Sequence, residues 1–120
     1  MANIFLDTNT FFDISERNIK KCEMLEGQSV FVSALSYHIL FYAYKHTVPQ
    51  ALNAKHKSEF NIVDFTDEIL NLALEGPTAD LEDNLQLHSA ARSDCHIFLT
   101  SDRKLLKMKF FGKVRITLEI

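Results

Sequence analysis

Short apolar runs bounded by polar, turn-prone residues recur along the chain. Ile4-Phe5-Leu6, Val30-Phe31-Val32 and Ile97-Phe98-Leu99 are unbroken, the pattern of strands buried on both faces of a parallel sheet. Asn61 to Phe65 and Val114 to Leu118 or Ile120 read as two further strands. Segments of helical composition separate them. They are Thr10 to Arg17, Ile19 to Glu26 stopped by Gly27, Ala34 to Lys45, and a short helix opened by Pro49 through about Lys57. Thr66 is placed to cap a helix from Asp67 to Leu74. After the Gly76-Pro77 break come Asp80 to Arg92 and a short basic helix, Arg103 to Lys107.

Strands alternating with helices predict an α/β fold with a mostly parallel sheet, helices on both faces and right-handed crossovers. A length of 120 residues fits one domain, 1–120. Right-handed crossovers carry the residues after each strand to one edge, where open α/β sheets place ligands. Asp7 and Asp102 follow different strands, so both are expected on that edge.

Composition narrows the function classes. Hydrophobic residues make up 47% and include 10 phenylalanines, enough for a packed core. Cys22 and Cys95 form no metal-ligand spacing, so a reducing cytoplasm is expected. The start Met1-Ala2-Asn3 lacks a basic leader, and no run approaches membrane-spanning length. A net charge of −3 opposes a generally basic nucleic-acid binder, but the charges are unevenly spread. Eight acids and no Lys or Arg lie between Ser58 and Ala91; after Asp102 six bases face only Glu119. That is the arrangement of a cation-holding pocket beside a phosphate-binding rim, or of ordinary solvated surface.

Three acids carry the candidate chemistry. Asp7 and Asp102 end apolar strands. Asp83 lies in the first turn of its helix, in one arc with Asn84, Leu87 and Ala91 beside an apolar face of Leu81, Leu85 and His88. Glu82 is expected on the opposite, solvated side, and Asp80 one turn earlier on the Asp83 stripe. Gathered carboxylates repel one another, and a cation relieves the repulsion. Mg²⁺ and Mn²⁺ suit oxygen donors and can activate water for phosphodiester hydrolysis. Thr8, Asn9, Thr100 and Ser101 could orient the acids by hydrogen bonds. Each acid also has a structural alternative: Asp7, Asp80 and Asp102 as helix N-caps, Asp83 as an acid favoured by the helix dipole. His88 reads as a hydrogen-bonded core histidine. No HExxH, GxSxG, Walker A or GxGxxG motif is present.

Taken together, these residues resemble a PIN domain, the nuclease fold of the toxin in VapBC-type toxin–antitoxin pairs. Phe5-Leu6-Asp7-Thr8-Asn9 resembles the family's first strand and first catalytic Asp. Val32-Ser33-Ala34-Leu35-Ser36 resembles its second strand and the turn after it. Asp80-Leu81-Glu82-Asp83-Asn84-Leu85-Gln86 resembles a "DFEDALQ" block in which Asp83 is the catalytic acid, and Leu99-Thr100-Ser101-Asp102 the block carrying the last acid. The resemblance implies a three-layer α/β/α sandwich and a Mg²⁺- or Mn²⁺-dependent endoribonuclease with Asp7, Asp83 and Asp102 as metal ligands. It also implies a homodimer and a small antitoxin partner. Arg103, Lys104 and Lys107 are candidates for RNA phosphate contacts, and Asp80 for an accessory acid. The chain departs from the family where a glutamate usually follows the second strand: Ile39 stands there, and no acid occurs between Glu26 and Glu59. The alternatives are a PIN domain that binds RNA or protein without cutting, and an unrelated receiver-like α/β fold. The latter normally shows paired acids before the first turn and a lysine after the last strand, neither of which is clear here.

Overall fold

The computed structural model describes residues 1–17, 19–49 and 57–120, without the side chains of 16, 17 and 19–21. Strands β1 (Asn3–Leu6), β2 (Ser29–Ser33), β3 (Asn61–Val63), β4 (Ile97–Leu99), β5 (Phe110–Phe111) and β6 (Val114–Thr117) form one sheet of order β3-β2-β1-β4-β6-β5. Every pairing is parallel except that of β5 with β6. The helices are α1 (Thr8–Phe12), which runs into a π-helical turn at Asp13–Arg17, then α2 (Ile19–Met24), α3 (Ala34–Ala43), α4 (Asp67–Glu75), α5 (Leu81–Arg92) and α6 (Arg103–Met108). The expected three-layer α/β/α sandwich is observed.

β1 lies in mid-sheet, and Ile4, Phe5 and Leu6 are fully buried. Alternation sends them to opposite faces. Ile4 and Leu6 join Val30, Val32, Ile97 and Leu99 beneath residues of α1 and α3. Phe5 joins Phe98, Leu87, Leu105 and Ile116 beneath α5 and α6. α4 packs outside α5 through Ile69, Ala73 and Leu85. The two layers of apolar side chains explain the unbroken apolar runs Ile4-Phe5-Leu6, Val30-Phe31-Val32 and Ile97-Phe98-Leu99 within the central strands.

Several boundaries differ from the sequence expectation. α1 starts at Thr8 rather than Thr10, because Asp7 Oδ1 accepts the Thr10 N–H at 2.8 Å and starts the helix early. α2 ends at Met24, and Gly27 takes φ +78° in the turn that follows, a conformation that favours glycine. Thr66 caps α4 as expected, its Oγ1 accepting the Ile69 N–H at 3.2 Å. β5 was not expected: it is two residues long and folds back on β6 through Gly112, at φ +59°. The helix expected from Pro49 to Lys57 falls largely on residues outside those described. Among the described residues no helix is long and apolar enough to cross a membrane.

Candidate active site

The site is built by the pairing of two identical triplets. Ile4, Phe5 and Leu6 lie opposite Ile97, Phe98 and Leu99 in register, with the Phe5 and Phe98 rings stacked at 5.7 Å. The residues that follow, Asp7 and Thr100, therefore emerge side by side at the carboxyl edge. The Asp7 N–H donates to Leu99 O at 3.3 Å. The Thr100 hydroxyl donates a short hydrogen bond to Asp7 Oδ2, and Thr100 Oγ1 in turn accepts the Asp102 N–H at 3.0 Å. Thr10 Oγ1 donates to Leu99 O at 3.1 Å. Thr100 thus joins the acid after β1 to the acid after β4.

Asp102 caps α6 through its Oδ1, which accepts from the N–H groups of Lys104 (2.8 Å) and Leu105 (3.4 Å). Asp80 caps α5, its Oδ1 accepting the Asp83 N–H at 2.9 Å. The capping alternatives raised from the sequence are therefore real, and they do not compete with convergence: capping fixes where each carboxylate stands. Asn84 anchors this end of α5. Its side chain accepts from Thr78 N (2.9 Å) and Thr78 Oγ1 (2.6 Å) and donates to Ala73 O and Thr78 O, both at 2.9 Å. It holds the loop from Gly76 to Asp80 against α4, so α5 begins beside the other acids.

The carboxylates feel one another. Asp83 is pushed up to about 6, chiefly by partial burial and then by repulsion from Asp80, Asp102, Glu82 and Asp7. Asp7 is raised by burial, opposed by its hydrogen bonds from Thr100 and Thr10, with Asp102 adding repulsion. Glu82 is raised by burial and by Asp80 and Asp7, against a hydrogen bond from Thr8. Glu82 is exposed, as expected of the solvated side, and lies within electrostatic reach of Asp7 and Asp80. Asp80, Asp83, Asp102 and Lys104 line one groove of about 710 Å³ with Pro77, Thr78 and Met108.

An all-oxygen donor set with crowded negative charge is what a hard divalent cation relieves. The residues fit such an ion in chemistry and charge. As they lie, no three acids among the described residues stand close enough to enclose one.

The remaining expected residues divide. Thr8 is buried and meets Ser36 Oγ at 3.4 Å and Gln86 Nε2 at 3.2 Å. Asn9 and Ser101 are exposed, and among the described residues no hydrogen bond links either to an acid. Arg103, Lys104 and Lys107 are exposed along α6. Ile39 packs against the apolar cluster of Leu6 and Leu40, while α3 turns the fully buried Ser36 toward Thr8. His88 is half-buried, with Nε2 3.0 Å from Gly76 O, as expected of a core histidine. Sequence reasoning missed Asn84 and Gln86. An Asn and a Gln flanking Leu85 inside a helix were a usable signal, since buried amides need partners.

No protein-family model matches the sequence, and no curated protein matches it. Solved structures do. A chain of the crystal structure of VapBC2 from Rickettsia felis bound to a DNA fragment from their promoter superposes with TM-score 0.66 at 15% identity, over 96% of this chain and 97% of that one. A chain of a toxin–antitoxin complex from Klebsiella pneumoniae superposes with TM-score 0.74 at 18% identity, over 98% of this chain and 99% of that one. At such identities the likeness is one of fold, and the fold is the PIN-like sandwich.

Proposed function

We propose that this chain is a divalent-metal-dependent endoribonuclease that acts in the cytoplasm as the toxin of a toxin–antitoxin pair. The observation that carries the reading is the gathering of acids at the sheet's carboxyl edge, where Thr100 is bonded to both Asp7 and the Asp102 backbone and Asp80, Asp83 and Asp102 line one groove, in a fold shared with chains of toxin–antitoxin complexes. Asp7, Asp83 and Asp102 hold Mg²⁺ or Mn²⁺, with Asp80 as an accessory acid. The ion supplies water activation and neutralises phosphate oxygens. Thr100 and Thr10 fix the Asp7 carboxylate; Thr100 also ties down the Asp102 loop. Arg103, Lys104 and Lys107 contact RNA phosphates beside the groove. A small antitoxin and a second copy of the chain are the protein partners.

Purified protein should cleave single-stranded RNA when Mn²⁺ or Mg²⁺ is added, and Asp7→Asn should abolish cleavage. Equal cleavage by the variant would overturn the role of Asp7. Ile39 favours a second reading, a domain of this fold that binds RNA or protein without cutting it. Absence of binding at millimolar Mn²⁺ in a calorimetric titration selects that reading. Co-purification of a small protein encoded beside this chain tests the antitoxin.

A further inference from the structure

The groove beside the acids changes character along its length. On α6 its wall runs from Asp102 through Lys104 to Leu105 and Met108, about 9 Å along the helix axis. On the other wall the loop before α5 runs the opposite way, from Asp80 back through Ala79 to Pro77. The Pro77 end lies further down α5 than Asp83, since His88 Nε2 stands 3.0 Å from Gly76 O and Pro77 shares a hollow with His88 and Phe111. Both walls thus pass from carboxylates to apolar side chains. We infer that the apolar end is a subsite for one unpaired base of a single-stranded RNA, the base next to the phosphate that is cut. The inference rests on the ribonuclease reading above and names the part of the substrate that this end of the groove takes.

The occupant follows from the chemistry of the two ends. A nucleotide is anionic at its phosphate and flat, with apolar faces, at its base. With an ion among the acids and Lys104 beside them, the phosphate belongs at the acidic end. The base then lies between Ala79 and Pro77 on one side and Met108 on the other, over Leu105, which is 1% exposed. Met108 is half-buried, and its flexible thioether adapts to a flat ring. The polar atoms of Thr78 are already engaged. Its N–H and C=O are bonded to the Asn84 amide at 2.9 Å each, and its Oγ1 meets Asn84 Oδ1 at 2.6 Å and the Asp80 N–H at 3.1 Å. The loop wall therefore grips chiefly by apolar contact, and these bonds set it in place before RNA arrives. A groove of about 710 Å³ has room for a nucleotide. A base inside a duplex is stacked and paired and cannot enter, so single strands and loops are the substrate class.

The fluorescent base aminopurine, placed in turn at each position of a short single-stranded RNA, tests this with Asp7→Asn protein, so that the strand stays whole. Its emission on binding should change most at one position. Met108→Ala should shrink that change and weaken binding by about tenfold. Ala79→Gln, at an exposed position, crowds the same wall without adding charge and should act likewise. Leu74→Ala, on the exposed face of α4, should alter neither readout. In the otherwise unaltered protein with Mn²⁺, an abasic nucleotide at that position should slow cleavage by about tenfold, and fully paired RNA should resist. Emission changes of equal size at every position, binding that both variants leave intact, or an abasic strand cut as fast as the parent would overturn the subsite. If Mn²⁺-dependent cleavage persists in those cases, the ribonuclease reading stands without it. An emission change that Met108→Ala removes, in a protein that cuts no RNA, would keep the subsite for an unpaired base and overturn the ribonuclease. Absence of both binding and cleavage overturns both.

Discussion

Thr100 shows how much one hydroxyl can organise. It donates to Asp7, accepts from the Asp102 backbone, and is 1% exposed. Thr100→Val keeps the shape but leaves Asp7 Oδ2 and the Asp102 N–H unpaired in a dry place. That should cost about 1–3 kcal/mol, read from urea unfolding, and drive the Asp7 carboxyl higher still. Asp83 gives a prediction of opposite sign. Its carboxyl titrates near 6 in the folded chain against an ordinary 3.8. The folded state then binds more protons than the unfolded state between those values, so this group's contribution to stability falls as pH rises through about 6. Asp83 gains a little from the dipole of α5, but the raised value means that repulsion and burial win. Asp83→Asn should therefore stabilise the metal-free protein at pH 7, by about 1 kcal/mol after allowing for its exposure to solvent. The gain should vanish below pH 4; melts in chelator across that range would show it. A constant gain at all pH values would mean that charge repulsion is not the cause.

At the scale of elements, the first turn of α5 decides the geometry of the edge, and Asn84 decides the first turn. Four hydrogen bonds run from its amide to the Gly76–Asp80 loop and to α4. Asn84→Ala should cost about 2–3 kcal/mol, since several buried partners lose their mates at once. Amide exchange should rise first at Thr78 and Asp80, ahead of the sheet. The central strands and the acids that follow them were legible in the sequence because burial on both faces leaves unbroken apolar runs, and parallel pairing fixes what comes after. β5 was not legible: two residues, Phe110 and Phe111, carry no period. Ile39 was visible as a departure, but its packing into the cluster of Leu6 and Leu40 needed the structure.

For the whole molecule, the uneven charge becomes a spatial fact. Asp80 and Asp83, from the acidic stretch, join Asp102 in one groove at the edge, and α6 sets Arg103, Lys104 and Lys107 immediately beyond it, with Lys104 in the wall of the same groove. A polyanion approaching this face meets repulsion at the acids and attraction at α6, so binding to RNA should depend on the basic helix far more than the net charge of −3 suggests. In the Asp7→Asn background, expected to remove cutting, affinity for a single-stranded RNA should fall with salt, each phosphate contact adding about 0.7 to the slope of log affinity against log salt. Replacing Arg103, Lys104 and Lys107 together by Ala should lower that slope by about 2 and weaken binding at low salt. Fluorescence anisotropy over a KCl series measures both. An unchanged slope would move the RNA path off α6.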